Sequence, residues 1–346
     1  MIDSPEFSLL LSCCRWNFAE TSDERPELRG GLDWPTFVRL ARFHRVQGLT
    51  WNALAQSTAS LPSDAADALS ADARWIAATN LAIGRECVEL TDAFARSAIP
   101  LLFVKGLSVA ALAYRSPMLK MGWDIDVLID PADLARAAEV LTARGFSLTL
   151  PSDLADLNSW HSWSKESVWD RPDGLHVELH TRLADNRTLI PGLQVRSPSR
   201  QVEFAPGMNL STLAHDELFA YLCVHGASSA WFRLKWISDL AGLIAGQPVE
   251  EVGRLYRRAQ ELGAARSAGQ ALLVAHRLFR TVLPDFAIDS ATRRLADAAL
   301  RQLAQSTEPT ERTLGTWRIH WTQLLLKSGF GFKTGEIVRQ ARDALR

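Results

Sequence analysis

The chain of 346 residues has few cysteines and no long uninterrupted hydrophobic run. Its four cysteines (Cys13, Cys14, Cys87 and Cys223) match neither the spacing of zinc ligands nor a disulfide framework. We therefore expect reduced, buried thiols and a cytoplasmic location. No apolar run approaches the roughly 20 residues of a membrane helix. The first residues lack the basic region of a signal peptide, so no membrane partner is expected.

The chain also lacks an excess of charge of one sign. Its formal net charge is −1, so no overall field attracts nucleic acid or an anionic membrane, and nucleic acid is not expected as a partner. The hydrophobic content of 47% and the charged content of 22% are typical of a globular protein. The length is sufficient for two or three domains with sizeable cores.

Hydrophobic periodicity divides the chain into three regions. Residues 1–97 are rich in alanine and leucine, with apolar positions at helical spacing, for example Trp75, Ala78 and Leu81. Residues 98–207 alternate predicted strands near 101–104, 124–129, 146–150, 167–170 and 175–180 with helices near 108–114 and 130–145. Residues 182–210, with three prolines, are predicted to be irregular, and residues 208–346 are predicted to form a helical domain. The pattern predicts an α/β core with a small mixed sheet, flanked by two helical regions.

Two carboxylates in the second predicted strand are the strongest chemical signal. Asp124 and Asp126 lie two residues apart in an apolar run, so they point to the same side of a strand. Two adjacent like charges are unfavourable unless a cation or protons compensate them. Oxygen ligands of this kind suit a hard divalent cation. A solvated strand face is the alternative interpretation, but the run is too apolar for an exposed edge.

Further residues can complete such a site. Glu178, on the polar face of a later strand, is the best candidate for a third carboxylate, and Glu166 and Asp170 are its competitors. Lys105 precedes Gly106, a residue that permits close backbone approach, so this turn is a candidate phosphate contact. A surface lysine is the alternative for Lys105, as it is for Lys235, a candidate phosphate contact in a later helix.

Four segments together carry a family resemblance: residues 103–106, 124–129, 177–180 and 233–240. In this order they resemble the uncharacterised bacterial nucleotidyltransferase family of the polymerase-β-type superfamily, over roughly residues 30–250. The resemblance implies NMP transfer from an NTP to an acceptor, with Mg²⁺ (or Mn²⁺) as cofactor. It assigns metal binding and catalysis to Asp124, Asp126 and Glu178, and nucleotide binding to Lys105, Gly106, Ser108 and Lys235.

The turn departs from the superfamily pattern. The superfamily usually has Gly-Ser or Gly-Gly, whereas Leu107 follows Gly106 here, and either Ser108 or Lys105 then takes over the phosphate contact. The gap from Gly106 to Asp124 is longer than in the usual superfamily motif, and Lys120 is the nearest basic residue before the Asp pair.

Two other functions stay open at the level of sequence. The altered turn is compatible with a nucleotidyltransferase fold that has weak or lost catalysis and serves as a binding or scaffold protein. The His-x-Glu-x-His pattern of His176, Glu178 and His180 can also bind zinc or iron. His215 and His225 are predicted to be core histidines, and residues 312–346 are predicted to form a docked helix.

Overall fold

The computed structural model describes residues 4–18, 26–28, 30–56, 61–305 and 317–344. Among these residues, four helices precede the first strand: α1 (Pro5–Trp16), α2 (Trp34–Phe43), α3 (Gln47–Ala55) and α4 (Ser63–Arg96). The central part contains β1 (Leu102–Phe103), α5 (Leu107–Ala113), β2 (Ile125–Leu128), α6 (Leu134–Ala143), β3 (Ser147–Leu150), α7 (Leu157–Trp163), β4 (Glu166–Asp170), β5 (His176–His180), β6 (Ser199–Ala205) and β7 (Met208–Leu213). The described part of the chain after β7 contains seven helices: α8 (His215–Ser228), α9 (Leu234–Ile244), α10 (Val249–Glu261), α11 (Ala265–Phe279), α12 (Ser290–Leu303), α13 (Trp317–Gln323) and α14 (Phe330–Ala344).

Five of the strands form one mixed sheet in the order β1-β2-β5-β4-β3. β2 and β5 are parallel, whereas the other three pairings are antiparallel. The predicted mixed sheet with helical flanks is therefore present. The hairpin from β4 to β5 also forms as predicted, and the Gly174 N–H donates a 2.9 Å hydrogen bond to the Arg171 carbonyl in its turn.

Short polar side chains at helix starts explain several of the element boundaries. The Ser4 hydroxyl accepts from the Phe7 N–H before α1, and the Asp33 carboxylate accepts from the Thr36 N–H before α2. Asp130 accepts from the Ala132 N–H at the short 3₁₀ turn that leads into α6. These bonds satisfy backbone donors that have no acceptor within the helix.

The sheet has one apolar face and one polar face where β2 and β5 meet. Ile125, Val127, Val177 and Leu179 are buried in a core that also contains Phe94 of α4. A second core joins the N-terminal helices to α8–α12. All four cysteines are buried and unpaired, as the sequence predicted.

The prediction of an irregular segment over residues 182–210 was wrong in its last part. β6 and β7 form an antiparallel hairpin, in which Val202, Phe204 and Leu210 are buried between polar neighbours. Pro206 lies in the turn between the two strands, where it removes no ladder hydrogen bond. The hairpin packs on α5 and β1, and it crosses the predicted boundary between residues 207 and 208. The three-region division remains a prediction.

Two further findings concern the ends and the exterior of the fold. The predicted C-terminal helix over residues 312–346 is two helices, α13 and α14, and its residues 312–316 and 345–346 lie outside the described part of the chain. Within the described residues, every helix is too short or too polar to cross a membrane.

Candidate active site

The polar face of the sheet is centred on two acidic residues in neighbouring parallel strands. Asp126 of β2 is directly opposite Glu178 of β5, so their side chains project from the same face. Asp124 immediately precedes β2 and lines the same cavity. We call Asp124, Asp126 and Glu178 the carboxylate cluster. The strand register therefore brings together Asp126 and Glu178, two of the three residues that the sequence singled out as metal ligands, and Asp124 lies beside them on the cavity wall.

His180 joins this cluster because it lies two residues after Glu178 on the same face of β5. Its Nε2 atom is 3.2 Å from Asp126 Oδ1 and 3.5 Å from Glu178 Oε2. One potential ligand atom from each of Asp126, Glu178 and His180 lies within 4.8 Å of the others, close enough to share one metal ion. His176, in contrast, has its Nδ1 atom 2.5 Å from Asp170 Oδ1, so it is directed to a different partner.

Lys105 places an ammonium group between the same carboxylates. Its Nζ atom contacts Asp126 Oδ1 and lies 3.5 Å from Glu178 Oε2. The side chain reaches this position from the turn between β1 and α5, where Gly106 has a φ of +65°. Glycine adopts this conformation without the steric cost that other residues bear. The ammonium thus supplies positive charge that compensates the two carboxylates.

The structure places Ser108, which the resemblance assigned to nucleotide binding, beneath the turn rather than on the cavity wall. Its side chain is fully buried, and its hydroxyl donates to the carbonyl oxygens of Phe103 (3.1 Å) and Lys105 (3.0 Å). Both contacts hold the backbone of the turn. Ser108 does not line the cavity, whereas Lys105 and Gly106 do.

The carboxylate cluster opens into a cavity of about 260 Å³. Its walls carry five basic and five acidic side chains, namely Arg45, Lys105, Lys120, Lys165 and Lys235 with Asp124, Asp126, Glu166, Glu178 and Asp239. α8 contributes Leu222 and His225, and α9 contributes Lys235, Trp236 and Asp239. A cavity with this mixture can bind cations at the acidic residues and anions at the basic residues.

The ends of β4 and β5 add residues that the sequence analysis did not assign to the nucleotide site. Lys165 Nζ contacts Glu166 Oε2, and His180 Nδ1 lies 3.3 Å from the same oxygen. Glu166 was predicted only as a competitor of Glu178. Because the antiparallel register pairs Glu166 with His180, the hairpin itself brings these charges together. The alternation of charged residues along β5 was the feature of the sequence that could have indicated this arrangement.

Burial and neighbouring charges shift the pKa values of the cluster in opposite directions. Burial raises the pKa of Asp126 to about 6, although Lys105 opposes the shift. Burial would also raise the pKa of Glu178, but the ammonium of Lys105 and the hydrogen bond from His180 hold it below its ordinary value. Burial would lower the pKa of His180, yet Glu166, Asp126 and Glu178 raise it. The imidazole is therefore stabilised in its protonated form, as a donor to the carboxylates.

α9 supplies a lysine with an unusual environment. Burial lowers the pKa of Lys235 to about 7, and the positive charges of Lys120 and Arg45 contribute to the shift. Lys120 Nζ is 3.5 Å from Asp239 Oδ2, and the Tyr114 hydroxyl donates to Asp239 Oδ1 at 2.8 Å. Asp239 is thus engaged by two donors, so it compensates Lys235 only in part. An anion in the cavity would stabilise the charged form of Lys235.

The two histidines that were predicted to be core residues, His215 and His225, have contacts within the protein. His215 Nε2 lies 3.3 Å from the Leu243 carbonyl oxygen, and burial lowers its pKa. His225 is in edge contact with Trp236, with ring centroids 5.7 Å apart, and it lines the cavity. Burial also lowers its pKa, as do Lys105, Lys165 and Lys235. We expect both imidazoles to be neutral at pH 7.

The family model of the uncharacterised nucleotidyltransferases matches residues 30–280, which is well over half of the chain. The chain belongs to this family. The match extends the resemblance seen in the sequence from about residue 250 to residue 280, and it spans the carboxylate cluster and α9. A search of curated proteins found no match. Membership of this family indicates nucleotidyl transfer with a nucleotide substrate.

A divalent cation fits the donor set of the cluster. Asp126 Oδ2 is buried and has no hydrogen-bond partner among the described residues. A buried carboxylate oxygen without a partner is costly, and a metal ion would satisfy it. Asp126 and Glu178 offer two carboxylates, to which His180 donates, and Asp124 adds a carboxylate on the cavity wall. Hard cations such as Mg²⁺ and Mn²⁺ prefer such oxygen-rich sites.

Proposed function

We propose that the protein is a metal-dependent nucleotidyltransferase that moves an NMP group from an NTP to an acceptor. The observation that carries this proposal is the grouping of Asp126, Glu178 and His180 around one point in a cavity lined by five basic side chains. Acidic residues for a cation and basic residues for phosphates are both needed for a metal–triphosphate substrate. Family membership supports the same reaction class.

The roles of the residues follow from their positions. Asp126 and Glu178, with Asp124, would hold Mg²⁺ or Mn²⁺, and His180 would orient the two carboxylates by donating to them. Such a cation neutralises phosphate charge and lowers the pKa of an attacking hydroxyl. Lys235 and Lys120 would bind the phosphates, and Gly106 would let the backbone approach them. Ser108 would keep this turn in place.

In the proposed reaction, an acceptor oxygen or nitrogen attacks the α-phosphorus of the NTP. A new bond forms to the α-phosphorus, the bond from it to the β-phosphate bridging oxygen breaks, and pyrophosphate leaves. The proton of the acceptor passes to a carboxylate of the cluster or to water. Positioning and charge neutralisation supply most of the acceleration in phosphoryl transfer.

An assay of pyrophosphate release tests this proposal. Purified protein is incubated with MgCl₂, labelled NTPs and candidate peptides, sugars or amines. Asp126→Asn should reduce the rate at least about 100-fold, because even residues that only support metal ligands are worth 10- to 100-fold. Asp170→Asn is the matched control, since Asp170 lies on the same sheet and contacts His176 rather than the cluster. Equal rates in wild type and Asp126→Asn would refute the assignment.

A second candidate is a nucleotide-binding or scaffold protein without transfer. The position of Lys105 favours it, because an ammonium group already compensates Asp126 and Glu178. Calorimetry separates the two functions. Binding of NTP without Mg²⁺ dependence would support the second candidate, whereas Mg²⁺-dependent binding with pyrophosphate release would support the first.

A further inference from the structure

A second cavity, of about 240 Å³, lies between the chain segment that follows β5 and helix α14. Four arginines line it: Arg182, Arg187, Arg339 and Arg342. Asp185 is the only carboxylate among the described residues of its lining. None of these residues has a part in the proposed nucleotide site. A concentration of guanidinium groups around one cavity is characteristic of phosphate or carboxylate recognition.

Arg182 shows most clearly that this cavity has a deficit of negative charge. Its Nη1 atom donates to the His161 carbonyl at 2.7 Å, but Nε and Nη2 are buried and have no acceptor among the described residues. Burial lowers the pKa of Arg182 to about 10, and the charge of Arg187 adds to the shift. Buried donors without acceptors are destabilising. Nε and Nη2 are themselves closed off from the cavity, so an oxyanion there would stabilise the guanidinium through its charge rather than by accepting from these two atoms.

The cavity walls are held by a separate network of hydrogen bonds. Asn186 Nδ2 donates to Glu336 Oε2 at 3.1 Å and to the Phe332 carbonyl at 3.3 Å, which joins the segment after β5 to α14. Arg339 Nε donates to Glu336 Oε1 at 3.1 Å. Glu336 thus compensates Arg339, while Arg182, Arg187 and Arg342 outnumber Asp185, the one carboxylate among the described lining residues.

The chain connects this cavity directly to the proposed active site. Arg182 is two residues after His180, so their Cα atoms are within about 8 Å of each other. Ser164, in the cavity lining, immediately precedes Lys165 of the first cavity. Burial would lower the pKa of Lys165, but the carboxylates of Glu166 and Asp185 raise it, so charges from both cavities act on one ammonium group.

We propose that the arginine cavity is a second oxyanion site, which anchors the phosphate or carboxylate group of the acceptor molecule. The assignment to the acceptor rests on the proposed function, whereas anion binding in this cavity does not. A molecule anchored beside Arg182 would extend past the ends of β4 and β5 toward the carboxylate cluster. The positive charge of the arginine cavity predicts an anionic acceptor rather than a neutral or cationic one.

Calorimetry on the full chain tests anion binding, with inorganic phosphate and succinate as separate probes for the two chemistries. We expect one of the probes to bind with a stoichiometry of one. Arg182→Met should abolish binding, and Arg342→Met, a change at an exposed position, should weaken it about tenfold or more. Arg342→Met serves as the second variant in case the buried substitution impairs folding. Arg301→Met, at an exposed position of α12, is the control and should bind as wild type does.

Three results would overturn the inference. The first is that neither probe binds the wild-type chain at millimolar concentration. The second is that binding is unchanged in both Arg182→Met and Arg342→Met. The third is that Lys235→Met alone abolishes binding, which would place the anion in the first cavity. Competition between the probe and a non-hydrolysable Mg–NTP would refute the acceptor assignment specifically. If the probe binds as expected but Mg–NTP does not bind at all, the proposed transfer reaction fails while the oxyanion site stands.

Discussion

Replacement of Lys105 by methionine should turn the protein into one whose stability depends on divalent metal. The ammonium of Lys105 is the group that compensates Asp126 and Glu178 when no metal is bound. Methionine keeps a similar length and apolar stem but removes the charge. The two carboxylates then face each other on adjacent strands, with the His180 imidazole beside them.

The magnitude follows from the burial of the pair. The Asp126 side chain is 1% exposed and that of Lys105 is 15% exposed. Removal of one partner of a buried ion pair costs about 3–5 kcal/mol, and we expect the lower end because Lys105 borders the cavity. A metal at 100 times its Kd restores about 2.7 kcal/mol. At roughly 2 °C per kcal/mol, the loss is about 6 °C in Tm and the recovery about 5 °C.

Thermal unfolding with EDTA, MgCl₂ or MnCl₂ measures both effects. The wild type should respond less to metal, because the cation must first displace Lys105 from the carboxylates. Arg144→Met is the matched control: Arg144 Nε is 2.8 Å from Oε1 of the buried Glu86, and neither residue lines the cavity of the carboxylate cluster. This control should lose stability but gain nothing from metal.

The reasoning is refuted if Lys105→Met gains no more from Mg²⁺ or Mn²⁺ than the wild type does. It is also refuted if Arg144→Met recovers to the same extent, since metal would then act on the protein in general.

Three further predictions concern packing, pH and charge. In Gly226→Ala, the new Cβ would lie 2.3 Å from the Trp231 ring, so urea unfolding should show a free energy of unfolding that is lower by at least about 1–3 kcal/mol. The control is Gly192→Ala, which should be almost neutral because the nearest atom to its new Cβ is 3.9 Å away. Because the pKa of Asp126 is raised to about 6, protons compete with metal for this carboxylate below about that pH. Calorimetry should show the Mg²⁺ affinity falling about tenfold per pH unit below pH 6. An Mg²⁺ affinity that does not change with pH would contradict this. The pKa of Lys235 is lowered to about 7, so the protein should take up a proton when it binds the nucleotide at pH 8. Identical binding heats in buffers of different ionisation enthalpy would contradict this uptake. Lys235→Met should bind the nucleotide about tenfold more weakly.

The carboxylate cluster could be predicted from sequence because it depends on local alternation. A two-residue period puts Asp124 and Asp126 on one side of the chain, and the turn before β5 fixes which side Glu178 faces. Their convergence needed only the parallel pairing of β2 and β5. The helical flanks and the mixed sheet followed from the same periodicities.

The contacts of Lys105 and Ser108 could not be read from the sequence. Both residues stand near Gly106, but the direction of each side chain depends on the φ of that glycine and on the packing of α5. The hairpin of β6 and β7 was missed for a related reason. Pro206 suggested an irregular segment, whereas in the structure it lies in the turn between two strands.

The arginine cavity depends on contacts that are distant in sequence. Arg182 and Arg342 line the same cavity, and the hydrogen bond between Asn186 and Glu336, a contact over 150 positions, helps to join the segments that carry them. No periodicity of either segment encodes this distance, so the cavity is visible only in the structure.

Calorimetric titration of a non-hydrolysable NTP into the full chain, with and without Mg²⁺, tests the central claim most directly. The account predicts binding to the wild type only when Mg²⁺ is present, and loss of that binding in Asp126→Asn but not in Asp170→Asn. Equal binding in the presence of EDTA, or in Asp126→Asn, would contradict a metal–nucleotide site at the carboxylate cluster.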